Sequence, residues 1–233
     1  MYVGTSLKND LIEVEVRVDG RPQRLYRSTV LDRVFVVGRP GQVYTLGVRV
    51  LGHGRVEVLN SVDGRNTLKD EPAVMTKITG LVIRGAGEFT GWRVSDQETR
   101  QFMFGNPAQS IAAQATDGDT SNVGVIGFAA YAEYNYAGYR SAAPDLLGGG
   151  GYRGATRGLE SMGATRGGSI GTGAGATISD RVGTTHFERY GAAQELVIGY
   201  DTEEVLRELG VLRPALPQAF PAEDTGYAKY AGM

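Results

Sequence analysis

The side chains able to do chemistry are sparse in this chain. It has no cysteine and two histidines. Without a thiol there is no disulfide, thiolate metal site or cysteine nucleophile. His53 lies in the turn sequence Gly52-His53-Gly54, and His186 lies in a run that reads as strand. Turn and strand surface are therefore the expected settings, rather than a zinc site. Asp117-Gly118-Asp119-Thr120-Ser121-Asn122 gathers oxygen atoms of the kind calcium takes, with Asp117 and Asp119 as its acids. It lacks the glycine position and closing glutamate of an EF-hand loop, so it reads as a polar turn. Gly149-Gly150-Gly151-Tyr152-Arg153-Gly154 fits G-x-G-x-x-G. No strand precedes it and no amphipathic helix follows, so nothing aims its amides at a phosphate. Asp63, Asp70, Glu71 and Asp96 fall in loops, without the pairing that acid–base catalysis needs. The expectation is no catalytic residue, no metal and no cofactor, with solvated charge at the loop carboxylates.

Aromatic and basic residues offer binding rather than catalysis. Trp92, in Gly91-Trp92-Arg93, is either a stacking platform or a core residue; neighbouring Phe89, Phe102 and Phe104 favour the core. Tyr136, Tyr139, Arg140, Tyr152, Arg153, Arg157 and Arg166 interleave rings and guanidinium groups along a glycine-rich stretch. Such a stretch suits single-stranded nucleic acid, and the same residue types suit protein interfaces. The chain's formal charge is −2, which favours the second. The expected interaction residues are Trp92, Tyr139, Tyr152, Arg153, Arg157 and Arg166.

The elements that must position these groups read as strands. The 233 residues, 41% hydrophobic and 21% charged, suffice for one sizeable domain. No apolar run approaches the roughly 18 residues of a membrane span. The first ten residues lack the basic and apolar regions of a signal peptide, so a protein in the cytoplasm or in a virion is expected. Ile12, Val14, Val16 and Val18 alternate with Glu13, Glu15 and Arg17, the pattern of a half-buried strand, and Asp19-Gly20 turns the chain. Residues 34–37, 43–50 and 55–62 follow as strands, separated by glycine-containing turns that include Gly52-His53-Gly54, and Asp63-Gly64 closes the series. Residues 81–83 and 89–93 read as a pair around a loop. Ser95-Asp96-Gln97-Glu98 has capping-box spacing and predicts one or two helical turns. Residues 102–104 return to strand, and 105–122 read as loop. Val123-Gly124-Val125-Ile126-Gly127-Phe128-Ala129-Ala130-Tyr131 is uncharged and apolar on both faces, as the central strand of a core is.

Composition changes at 137–176, where about a third of the residues are glycine. So few apolar groups cannot offset the entropy of ordering by burial, and the stretch reads as a linker or docking arm. Residues 181–190 and 195–200 then read as two strands around Gly191-Ala192. Asp201-Thr202-Glu203-Glu204 is a second capping box. It opens a short helix with Val205, Leu206 and Leu209 on one stripe, ended by Gly210. Pro214, Pro217 and Pro221 mark an extended tail.

Four pieces resemble, in order, a widespread bacterial family of unassigned function: Ser61-Val62-Asp63-Gly64-Arg65-Asn66, Gly91-Trp92-Arg93, Phe102-Met103-Phe104 and Asn122-Val123-Gly124-Val125-Ile126-Gly127. The resemblance spans about 41–133 and brings no catalytic residues.

The sequence thus predicts an all-β protein, an antiparallel β-sandwich of jelly-roll type over residues 8–135. A Gly-rich arm (136–176), a small C-terminal β-hairpin with a short helix (177–213) and a proline-containing tail (214–233) follow. The function expected is that of a non-enzymatic structural or interaction protein with other protein subunits as partners. A minor or decorating protein of a phage particle fits this reading; neither nucleic acid nor membrane is expected as a partner. A carbohydrate- or surface-binding module using Trp92 is the alternative, and an enzyme with a loop-borne carboxylate site the second.

Overall fold

The computed structural model describes residues 1–134 and 168–212. These residues form an all-β sandwich of two open sheets. The first sheet runs β1 (Tyr2–Gly4), β5 (Leu25–Arg27), β6 (Val34–Val37), β16 (Arg189–Asp201), β14 (Val125–Glu133), β8 (Arg55–Val62) and β10 (Leu81–Arg84), with β9 (Arg65–Asn66) beside β8. The second runs β12 (Gly91–Arg93), β13 (Glu98–Gly105), β7 (Val43–Val50), β3 (Ile12–Val18) and β2 (Leu7–Lys8). In that sheet β4 (Arg21–Pro22) pairs with β3, β11 (Ala86–Phe89) with β7, and β15 (Gly171–Ser179) with β13. Pairing is antiparallel except between β6 and β16.

Local chemistry explains the strands. The alternation in β3 is realised as strictly alternating burial, with Ile12, Val14, Val16 and Val18 turned into the core. Asp19-Gly20 and Asp63-Gly64 both place two successive residues at positive φ (50° and 70°; 53° and 78°). That is the requirement of a two-residue type I′ hairpin turn, which Asp-Gly satisfies. Between the sheets, Tyr44 stacks on Phe104 and Phe102 at 4.1 and 5.3 Å, and Trp92 meets Phe102 edge-on at 5.4 Å. β14 lies centrally, as its sequence predicts, with Ile126, Phe128, Ala130 and Ala132 buried between β8 and β16.

Several expectations need correction. The pair expected from 81–83 and 89–93 does not form. Gly85, at φ 76°, hands the chain from β10 in the first sheet to β11 in the second. The capping-box sequence at Ser95 makes no helix. It forms the turn of the β12–β13 hairpin, where Arg93 faces Thr99 and the Ser95 hydroxyl accepts from the Gln97 amide. The expected loop 105–122 contains a 3₁₀ turn, Pro107–Gln109, and a one-turn helix α1 (Ile111–Gln114). Asn106 and Ser110 cap these with their side chains, and both are too short to show periodicity.

The largest difference concerns residues 168–201. The end of the expected arm is β15, because its glycines allow close approach: a Cβ on Gly171 would lie 2.8 Å from Ser110 Cβ. The two strands expected at 181–190 and 195–200 do not form a separate hairpin. Residues 181–188 carry no strand, so His186 is not on one, and from Arg189 the chain is a single strand. Gly191, at φ 71°, makes a bulge where the register with β14 shifts, and β16 continues through it. The sandwich therefore takes in β15 and β16, beyond residue 135. The second capping box does open a helix, α2 (Glu203–Glu208), with the cap at Thr202 and Leu206 buried against Phe35 and Val211. The rest of the arm and the proline-containing tail lie outside the described residues.

Candidate functional site

Strands β8, β14 and β16 run side by side, and their alternation gives the sheet two different faces. Toward solvent, Ser61, Gly127 and Val197 form one cross-strand row, and Leu59, Ala129 and Glu195 the next. The missing side chain at Gly127 leaves a hollow. A Cβ there would stand 2.6 Å from Ser61 Oγ. The segment 72–80 walls one side, with Ala73, Met75 and Ile78 packed on Leu59 and Ala129. Together they enclose a groove of about 200 Å³, room for one side chain rather than a drug-sized ligand.

An ion pair fixes this wall. Arg189 Nε donates to Glu57 Oε2 at 2.6 Å, and its Nη2 reaches Glu57 Oε1 at 3.1 Å and the Ile78 carbonyl at 2.8 Å. The Gly80 amide donates to Glu57 Oε1 at 2.8 Å. The guanidinium sits 4.4 Å above the ring of Tyr131. Only glycine lets the segment approach this closely, since a Cβ at residue 80 would meet the Val58 carbonyl oxygen at 2.3 Å. Glu57 is 6% exposed, and its charge is matched bidentately, the favourable form of a buried pair.

Glu195 differs. It is half-buried in the groove lining, and among the described residues no hydrogen bond or ion pair reaches its carboxylate. Burial alone pushes its pKa up. A desolvated carboxylate in the lining of an apolar groove is complementary to a cation on an aliphatic stem, because the stem fills the hollow while the head meets the charge.

The opposite face carries another carboxylate, and it is fully engaged. Asp63 is 1% exposed. Its Oδ1 accepts from Tyr200 Oη at 2.5 Å and from the Gly124 amide at 2.9 Å, and its Oδ2 from the Thr172 amide at 2.7 Å. An ionised carboxylate only accepts, so Tyr200 spends its proton on Asp63. Thr172 Oγ1 then donates to Tyr200 at 2.7 Å, and Tyr44 to Thr172 at 2.8 Å. Burial pushes the Asp63 pKa up to about 6, against the pull of Tyr200 and the backbone amides of Thr172, Gly124 and Val125. Burial and the Asp63 charge also raise both phenols, Tyr44 and Tyr200, well above their usual range. The chain Tyr44–Thr172–Tyr200–Asp63 joins the two sheets through β7 and β15 on one side and β16 on the other. It is a structural tie closed to solvent.

The residues singled out from sequence are dispersed. Trp92 is 4% exposed and donates its indole N–H to the Gly173 carbonyl at 3.3 Å, so it presents no face to a sugar. Tyr139, Tyr152, Arg153, Arg157 and Arg166 lie outside the described residues, as does the glycine run. Asp117 is bound by Arg65, which also holds Asp70, and Asp119 caps the Ser121 amide. Among the described residues no group of three metal-ligating side chains is found. His53 is exposed in its turn, and the His186 carbonyl accepts from Arg55. Asp63 corrects the expectation of solvated loop charge, since its turn is folded under β14 and β15. The sequence alone does not mark Glu195 as functional; its signal is one charge among the outward positions of a strand otherwise apolar on both faces, Glu195-Leu196-Val197-Ile198-Gly199-Tyr200.

No family model, curated protein or solved structure matches this chain. Among the described residues no helix is long and apolar enough to cross a membrane.

Proposed function

We propose that this chain is a non-enzymatic structural protein acting as one subunit of a larger assembly such as a phage particle. Neighbouring copies join through the groove over Gly127, each inserting a lysine or arginine side chain that reaches Glu195. The observation that supports this is the groove itself: an apolar hollow of one side chain's size, held open by the Glu57–Arg189 pair and lined by a carboxylate with no described partner. A desolvated, unpaired charge is costly in a free subunit and is compensated when an opposite charge arrives. Sites of this kind concentrate interface energy.

Sedimentation velocity of the full chain over a range of concentrations tests the reading. Association that Glu195→Gln weakens and Glu195→Arg abolishes is expected. A chain that sediments as a monomer at every concentration contradicts it.

A further inference from the structure

A second concavity, independent of the groove, lies where β4, the turn after β6, and α2 come together. It measures about 810 Å³, within the range of small-ligand sites. Its lining brings together Arg21, Arg24, Arg39 and Arg207 from well-separated stretches of the chain. The accompanying carboxylate in the lining, Glu203, is already bound to Arg207 one helical turn away. Arg24 stands 6.0 Å over the ring of Tyr2. The guanidinium groups of Arg21 and Arg39 meet no acceptor among the described residues. In a chain of net charge −2, such convergence is a local reversal of sign. Like charges facing one hollow repel unless an anion occupies it, and a concave surface strengthens their combined field.

We propose that this cleft binds a small ligand carrying two or more oxyanion groups, gripped by Arg21, Arg24 and Arg39. The planar fork of each guanidinium matches two oxygens of a phosphate or carboxylate. The apolar part of the lining, Tyr26, Val36 and Val37 among it, supports the ligand's body. Glu203 keeps Arg207 turned to α2, so the three other arginines carry the recognition.

The test is titration calorimetry of the full chain with tripolyphosphate and, separately, with citrate. Low ionic strength is required, where the screening length is about 30 Å at 0.01 M. Binding is expected, with affinity falling by about tenfold or more in Arg21→Ala/Arg39→Ala, which removes two charge-assisted contacts. Both side chains are exposed, so the melting temperature without ligand should not fall. Arg21→Lys/Arg39→Lys, which keeps charge and loses the fork, should fall between wild type and the alanine variant. Binding of tripolyphosphate alone assigns the site to phosphates; equal binding of citrate assigns it to oxyanions in general. Absence of heat with both compounds at millimolar concentration, or binding that the alanine variant retains in full, overturns the proposal.

Discussion

Asp63 and Glu195 lie on opposite sides of the same three strands, and they are treated in opposite ways. Asp63 faces the core and is met by a hydroxyl and backbone amides from three other places in the chain. Glu195 faces outward into an apolar groove and is met by nothing described. Burial raises the pKa of both. What separates them is satisfaction. A buried carboxylate whose acceptors are all used specifies the fold, because nothing else can replace the partners that converge on it. A carboxylate desolvated without partners is a cost to the free subunit, and such costs are retained where a partner removes them.

The largest effect expected is on the sheet both groups share. Phe128 is 3% exposed and meets Phe89 edge-on at 6.5 Å. Phe128→Asp should abolish folding, and Phe128→Ala should cost about 3–5 kcal/mol in urea unfolding. A Phe128→Asp protein with unchanged melting would remove the common frame of the comparison.

Next in size is Asp63→Ala. It strands Tyr200 Oη and the amides of Gly124 and Thr172 in the core, each orphan costing about 1–3 kcal/mol. A total loss of about 4 kcal/mol or more is expected by the same measurement. A loss under about 1 kcal/mol would mean that the tie between the sheets is dispensable.

The pH dependence of Asp63 is smaller and has a definite sign. Its folded pKa, about 6, lies above the unfolded value, so the folded state holds the proton more tightly. The Asp63 contribution to stability is greatest below about pH 4, falls by about 3 kcal/mol as pH rises to about 6, and is flat above. Cation-paired carboxylates act in the opposite direction. Glu13, held down by Ser6 and Arg49, and Glu133, held down by Arg55, lose stability as pH falls. The difference between wild type and Asp63→Asn across this window isolates Asp63, and a difference that is constant with pH would contradict the raised pKa.

Much of the fold is legible in the sequence, and the site is not. Alternation in β3, the two Asp-Gly turns, the apolar run of β14 and the capped helix α2 are local signals, and the structure realises each. Which strands pair is set by contacts far apart in sequence. Residues 81–83 and 89–93 read as neighbours, yet one positive-φ glycine sends them to different sheets. β15 was hidden because its glycines pack by what they lack, which neither periodicity nor propensity records. Asp63 and Glu195 look like ordinary acids on a turn and a strand. Their meaning comes from Thr172 and Tyr200 in one case, and from the 72–80 wall in the other.

The most direct measurement is Glu195→Gln, read both by sedimentation velocity at neutral pH and by urea unfolding. The substitution keeps the shape of the side chain and removes its charge. The account predicts weakened association with unfolding free energy unchanged or slightly raised, because a desolvated carboxylate is gone. Association equal to that of wild type, or a loss of stability comparable to that of Asp63→Ala, would contradict the division of labour between the two faces.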